Sequence, residues 1–304
     1  MKSIIQVFLF QFLFMFAMSQ DQNKHVTISH LELPAIPKGA QVVHHLGYSL
    51  LYNEQHECPS WVAYELTAQE TQRAFERTNK FLQDPFVASE TADDYDYKGS
   101  GFDRGHLAPA ADMGWSEVAM KESFYYSNMS PQVPGFNRGI WKKLEELVRE
   151  WAQEYKAIFV VTGPLLHEGL PTIGHNDVSV PKYYYKVLLD YSDPEIKGIG
   201  FILPNASSGE QLSQYAVSID SVEKVTGINF FPLLPDNLER TIEKTVCVEC
   251  WSWVAISSAQ KKERSHSVES TQCKGTTKAG NRCRNNTKNS SGYCVHHENQ
   301  VNSN

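Results

Sequence analysis

The stretch Gly99-Ser-Gly-Phe-Asp-Arg-Gly-His-Leu-Ala-Pro-Ala-Ala-Asp112 decides how the rest of the chain is understood. Its glycine-rich approach leads into a segment with strand character that ends in a turn at Pro109 and places His106 two residues after Arg104. Imidazole titrates near neutral pH, so a histidine in this position suits general-base work. Downstream lie Asn128-Met-Ser-Pro-Gln132 and Asn137-Arg-Gly-Ile-Trp-Lys-Lys-Leu-Glu145. Phosphodiester hydrolysis needs a base to activate water, positive charge against the phosphate and stabilisation of the departing oxygen. This span supplies candidates for each task.

The flanking segments give the fold class. Residues 47–53 and 61–67 are aromatic-rich strands joined by a polar turn, and residues 68–98 form an ordered loop over a site. A short helix is expected around 115–122. Gly135-Phe-Asn137 opens the clearest helix, at 138–155, whose apolar stripe is Trp141, Leu144, Val148, Trp151 and Tyr155. Residues 157–162 make a buried strand, 181–190 and 198–203 a central strand pair, and 218–226 a helix closed by Gly227. Strands before, around and after one strong helix, without regular alternation, favour α+β with a mostly antiparallel sheet over a doubly wound parallel one.

Taken singly, the candidate residues are weak signals. A loop histidine is usually structural, an Asn before a helix is usually its N-cap, and a Glu and an Arg four apart on a helix usually form a surface ion pair. Their order and density together carry the weight. In that light Asn137 could offer its amide oxygen to a hard divalent ion, and Mg²⁺ keeps most of its waters while taking one or two protein ligands. Glu145 could hold one of those waters, and Arg149 could grip phosphate or pair with Glu145. Arg104 and Arg138 add positive charge beside the site.

Asp-Arg-Gly-His at 103–106 with its Leu-Ala-Pro-Ala-Ala-Asp continuation closely resembles the signature of the DNA/RNA non-specific endonucleases, the ββα-metal nucleases that include the endonuclease G type. Residues 128–132 and Asn137-x3-Trp141-x3-Glu145-x3-Arg149 resemble that family's second and third blocks, and the likeness spans roughly 45–255. It implies a ββα-metal active-site motif, His106 as general base and Asn137 as ligand to Mg²⁺ (or Mn²⁺). It also implies that Glu145 orients the ion's water shell, that Asn128 helps to hold the site, and that Arg104 and Arg149 contact phosphate or stabilise the transition state. Arg77 is the candidate for a further family arginine upstream. The expected activity is metal-dependent cutting of DNA and RNA that leaves 5′-phosphate ends. The competing readings are a nucleic-acid or surface binding protein with a vestigial nuclease domain, and a phosphodiesterase acting on small phosphoesters.

Composition bounds the rest. The 304 residues are 41% hydrophobic, enough for a sizeable core, and carry a formal net charge of −7. Residues 261–288 hold eight Lys or Arg against two Glu, so the remainder is more acidic still. That balance weighs against a coating or storage role on nucleic acid, whereas an enzyme needs only a local basic lining. Residues 1–19 have one lysine, a phenylalanine-rich apolar run and a small-x-small end, which gives the expectation of a signal peptide and a secreted or periplasmic protein. A retained anchor is the alternative. No transmembrane segment is expected after cleavage. Residues 20–41 read as a flexible lead-in, 42–256 as the nuclease domain, 257–271 as a linker, 272–297 as a Cys/His module and 298–304 as a disordered tail.

Six cysteines divide by spacing into Cys58, the pair Cys247 and Cys250, and a terminal trio. The pair could join Cys58 in a disulfide, form a dithiol or stay as buried thiols. Cys273, Cys283 and Cys294 with His297 offer a ligand set for structural Zn²⁺, with His296 the less favoured fourth ligand and a disulfide within the trio the alternative.

Overall fold

The computed structural model describes residues 28–192, 195–253, 271–277, 280–283, 285–287, 291–294, 297 and 300. Residues 1–19, residues 257–270 of the linker, His296 and the last four residues of the chain therefore lie outside the described residues. The chain divides into two compact units, Met1–Trp253 and Val254–Asn304.

The strands of the larger unit, in chain order, are β1 (Val42–His44), β2 (Ser49–Asn53), β3 (Cys58–Thr67), β4 (Asp103–His106), β5 (Met129–Gln132) and β6 (Ala157–Pro164). They continue with β7 (Thr172–Ile173), β8 (Val178–Ser179), β9 (Tyr183–Asp190), β10 (Lys197–Pro204) and β11 (Ala216–Val217). Seven of them make one sheet in the order β1-β2-β3-β6-β9-β10-β11, antiparallel at every pairing. The α+β expectation holds: no parallel crossover is needed because each strand returns beside its neighbour. The strand pair expected to be central lies off-centre, since β6 holds the middle of the sheet and β10 has only the short β11 outside it.

Both sheet faces are covered, and alternation along β3 shows how. Val62, Tyr64 and Leu66 point to a core shared with Trp141, Leu144, Val148 and Trp151 of the long helix Lys142–Tyr155. Trp61 and Ala63 point to a second core closed by Ile219 and Val222 of the helix Ile219–Thr226 and by Ile242 of the helix Asp236–Lys244. The predicted stripe of the long helix is the one that is buried, with Tyr155 at its margin.

The supposed flexible lead-in is corrected from residue 28 onward. Leu31 is fully buried in the second core, and Ala35 donates its N–H to the Asn229 carbonyl at 2.9 Å. The polar, proline-bearing composition of that segment hid an apolar anchor at Leu31.

The second unit contains the antiparallel strand pair Thr271–Gln272 with Asn286–Thr287, and Cys273, Cys283 and Cys294 are buried within it. Cys247 and Cys250 are joined to each other by a disulfide, and Cys58 is a buried free thiol. Among the described residues no helix is long and apolar enough to cross a membrane.

Candidate active site

A small hairpin set apart from the main sheet builds the site. β4 pairs antiparallel with β5, so that Asp103 lies opposite Gln132 and His106 opposite Met129. Gly105 is required in this pairing: a Cβ there would stand 2.2 Å from the Gln132 side chain. After β5 the chain makes a π-helical turn, Phe136–Trp141, before the long helix begins at Lys142. The helix expected from residue 138 thus starts as α-helix only at 142. Gly139 carries the break, with φ −104° and ψ −110°, and wide turns of this kind cluster at functional sites. Two strands and a helix give the expected ββα frame.

The frame opens on a cleft of about 560 Å³ lined by Arg77, Phe81, Asp103, Arg104, His106, Asn137, Arg138, Glu145 and Arg149, among others. His106 lies between the rings of Phe124 and Phe81, at centroid distances of 4.9 and 5.9 Å. Burial and the nearby Arg77 guanidinium pull its pKa down to about 3, against a backbone hydrogen bond at Arg104 that favours the protonated ring. Its Nε2 is buried without a hydrogen-bond partner, so the bond to Arg104 falls to Nδ1. The neutral tautomer then carries its proton on Nδ1 and its lone pair on Nε2.

Asn137 caps nothing. Its Nδ2 donates to Asp103 Oδ2 at 2.9 Å, and Arg138 donates to the same carboxylate through Nε at 2.8 Å and Nη2 at 2.5 Å. A carboxylate only accepts, so it selects the amide nitrogen and leaves Oδ1 as the end offered to a cation. Together with the Glu145 carboxylate this is a hard oxygen donor set, which fits Mg²⁺.

Glu145 sits at the foot of the cleft, where burial raises its pKa against the pull of Lys186 and Arg149. Lys186, from β9, is fully buried with its Nζ 4.7 Å above the Trp141 ring and no hydrogen-bond partner; burial lowers its pKa while Glu145 opposes the shift. Arg149 does not take Glu145 as its hydrogen-bond partner: its Nη1 donates to Asp112 Oδ1 at 2.7 Å, and Tyr64 donates to the other oxygen at 2.9 Å. Asp112 and Lys186 were not singled out from sequence. The available signals were the acidic end of the 99–112 stretch and a lone lysine inside the apolar strand Tyr183–Asp190.

Arg104 donates to Asp94 Oδ1 at 2.6 Å and to the Tyr126 hydroxyl at 3.0 Å, and stacks over Phe81 at 5.0 Å. Arg77, from the long loop, reaches the cleft with its guanidinium 4.9 Å above Phe124. Asn128 differs from the others. It is fully buried, its Oδ1 accepts from Ala108 N at 2.9 Å, and its Nδ2 donates to Ala108 O and Ser123 O at 2.9 and 2.8 Å. It is absent from the cleft lining and ties down the backbone that follows His106.

A family model for DNA/RNA non-specific endonucleases matches residues 34–237. The chain belongs to the DNA/RNA non-specific endonuclease family. Members of this family are metal-dependent hydrolases acting on nucleic acid. Among curated relatives, the chain is 37% identical over 227 residues to the mitochondrial nuclease EXOG of Danio rerio, covering 69% of this chain and 66% of that protein. It is 35% identical over 212 residues to the mitochondrial endonuclease G of Bos taurus, covering 65% and 71%, and 39% identical over 204 residues to nuclease C1 of Cunninghamella echinulata, covering 62% and 81%. A solved endonuclease G chain, from a complex with its inhibitor, superposes with a TM-score of 0.61 at 34% identity over 66% of this chain and 89% of that one. A second model, described as a domain of unknown function, matches residues 270–303.

These relatives overturn the expectation of a secreted or periplasmic protein, since EXOG, endonuclease G and a yeast relative are named as mitochondrial nucleases. An apolar run with one lysine reports hydrophobicity and does not by itself encode a compartment. In the second unit, Cys273, Cys283, Cys294 and His297 present ligand atoms all within 4.8 Å of one another, a cluster that could hold a metal ion.

Proposed function

We propose that the protein is a Mg²⁺-dependent, sugar-non-specific endonuclease that hydrolyses phosphodiester bonds of DNA and RNA. The observation that carries this reading is the unpartnered Nε2 of His106 in the cleft that also holds Asn137, Glu145 and four arginines. His106 Nε2 accepts a proton from the attacking water, while Nδ1 stays bound to the backbone and keeps the ring in the tautomer that base catalysis needs. Asn137 Oδ1 and the Glu145 carboxylate would hold the cation or its water shell, and Asp103 keeps the Asn137 amide turned so that Oδ1 is free for it. When bound, Mg²⁺ supplies Lewis-acid stabilisation of the charge that builds on the phosphate.

Arg77 and Arg104 meet the phosphate from the loop side, and Arg149 from the helix side. Their restraint by Asn79, Asp94 and Asp112 means that little side-chain entropy is lost on binding substrate. The products would keep 5′-phosphate ends.

The test is digestion of plasmid and of single-stranded RNA by wild type and His106→Ala, each with chelator and with Mg²⁺ restored. Wild type should cut both polymers only with the metal, and His106→Ala should lose about 10²–10⁴-fold in rate. Cutting by His106→Ala at the native rate would refute the assignment. Activity on a bis-nitrophenyl phosphate ester without activity on plasmid would move the substrate class to small phosphoesters.

A further inference from the structure

The second unit poses a physical problem that its composition does not solve. Among its described residues, three buried cysteines have only the half-buried Tyr293 packed against them, far too little apolar material for a core of its own. We infer that this unit is a zinc module in which Cys273, Cys283, Cys294 and His297 close one tetrahedral Cys3His site.

With Zn–S of about 2.3 Å and Zn–N of about 2.0–2.1 Å, a regular tetrahedron has S···S edges of about 3.8 Å and S···N edges of about 3.6 Å. Cys283 Sγ and Cys294 Sγ are 3.8 Å apart, and His297 Nδ1 lies 3.6 Å from Cys273 Sγ and 3.3 Å from Cys294 Sγ. A disulfide needs about 2.0 Å between sulfurs, so the 3.8 Å between Cys283 and Cys294 is not a covalent bond but has the length of an edge across a shared metal ion. All four ligand atoms lie within 4.8 Å of one another, and a Cys3His set that fills all four positions of a tetrahedral ion is the make-up of a structural site and not a catalytic one. Three thiolates with an imidazole select a borderline-soft tetrahedral ion and disfavour Mg²⁺ or Ca²⁺.

The surrounding backbone is arranged for thiolates. Gly275 and Cys294 direct their N–H groups at Cys273 Sγ, at 3.2 and 3.1 Å, and Asn285 directs its N–H at Cys283 Sγ at 3.5 Å. Such donors offset the negative charge that the sulfurs carry when they bind metal. Gly275 also lets the ring approach: a Cβ there would stand 2.4 Å from His297 Cβ and Cγ. Ligand binding energy then supplies the folding free energy that the missing core does not.

The experiment uses the full chain, purified without added metal and dialysed, with zinc measured by atomic emission. Asn137→Ala serves to remove the nuclease cleft as a competing site, and a Cys283→Ser/Cys294→Ser double variant removes the module's ligands. Wild type and Asn137→Ala should each hold about one zinc per chain and the double variant almost none. Cobalt(II) exchanged into the Asn137→Ala protein should show the strong visible bands of a tetrahedral thiolate site, absent in the double variant. Zinc lost with Asn137→Ala but kept in the double variant would overturn the inference. So would a metal-free wild-type chain whose mass shows a second disulfide. None of these readouts depends on nuclease activity, so the inference stands or falls apart from the reading of the cleft.

Discussion

Replacing Asn128 with alanine distinguishes a residue that does chemistry from one that holds the chemistry in place. The Asn128 side chain is fully buried and makes three hydrogen bonds, all to backbone: from Ala108 N–H, and to the carbonyls of Ala108 and Ser123. Truncation to Cβ leaves one donor and two acceptors without partners in the interior, at about 1–3 kcal/mol each. With partial relaxation of the Leu107–Ala108 segment the sum comes to about 3–6 kcal/mol. That is a large share of the roughly 5–15 kcal/mol that holds a domain folded, and it lowers the melting temperature by about 6–24 °C for a unit of this size. Asn128→Asp should do no better, because it keeps the acceptor for Ala108 N–H but turns a carboxylate oxygen toward two carbonyls. The assay is urea unfolding followed by fluorescence, paired with nuclease rates measured well below the melting transition. The expected result is a large loss of stability, with a fall in turnover that reflects displacement of His106. An Asn128→Ala protein that unfolds at the native urea midpoint yet is inactive would refute this reasoning and return Asn128 to the reacting groups.

Other perturbations test neighbouring steps of the same argument. Gly105→Ala forces a methyl group against Gln132 and should cost about 1–3 kcal/mol and displace the β4–β5 hairpin, read as a lower melting temperature with reduced cutting; native values for both would contradict the packing. Lys186→Met leaves Glu145 without its largest opposing charge, so its carboxyl, already raised to about 7, should move higher still; the variant should lose stability relative to wild type increasingly as pH rises above neutral and little in acid, where Glu145 is protonated in both proteins. A pH-independent loss in paired urea titrations would argue against that coupling. Glu243, on the far side of the sheet, is pushed up to about 8 by burial and then by Glu223, Glu239 and Asp220. Its folded pKa lies above the unfolded value of 4.5, so the native state holds the extra proton and its contribution to stability is lost as pH rises from about 4.5 through about 8. Glu243→Gln should flatten that decline, seen by calorimetry as a higher melting temperature than wild type at about pH 9 and little difference at about pH 5.

The site was legible where its parts lie close in sequence and follow from local geometry. β4, β5, the π-turn and the long helix run from Asp103 to Tyr155, and the resemblance of three blocks in this span to the family's signature marked His106, Asn137, Glu145 and Arg149, which line one cleft. What escaped depends on contacts that spacing does not encode. Asp103 was quoted within the motif, but its work as the clamp on the Asn137 amide needs the hairpin and the π-turn to meet in space. Lys186 comes from a strand some forty residues past Glu145, and a lysine in an apolar strand shows only that something anionic must lie behind it. Arg149 shows the limit of a helix-periodicity argument. Glu145 and Arg149 do share a face, yet Asp112, held by Tyr64, captures the guanidinium because its buried carboxylate would otherwise have no cationic partner. Asn128 is the converse case. The resemblance implies only that it helps to hold the site, and its three backbone partners show the means: it ties Ala108 to Ser123 behind the cleft. A catalytic motif in a chain of this kind therefore mixes two classes of side chain that look alike in sequence. One class is left with an unpaired atom, as His106 Nε2 is, and the other is fully satisfied, as Asn128 is. Unpaired polar atoms in an interior are costly, so one that opens on a cleft, as His106 Nε2 does, marks where a substrate or an ion would complete it.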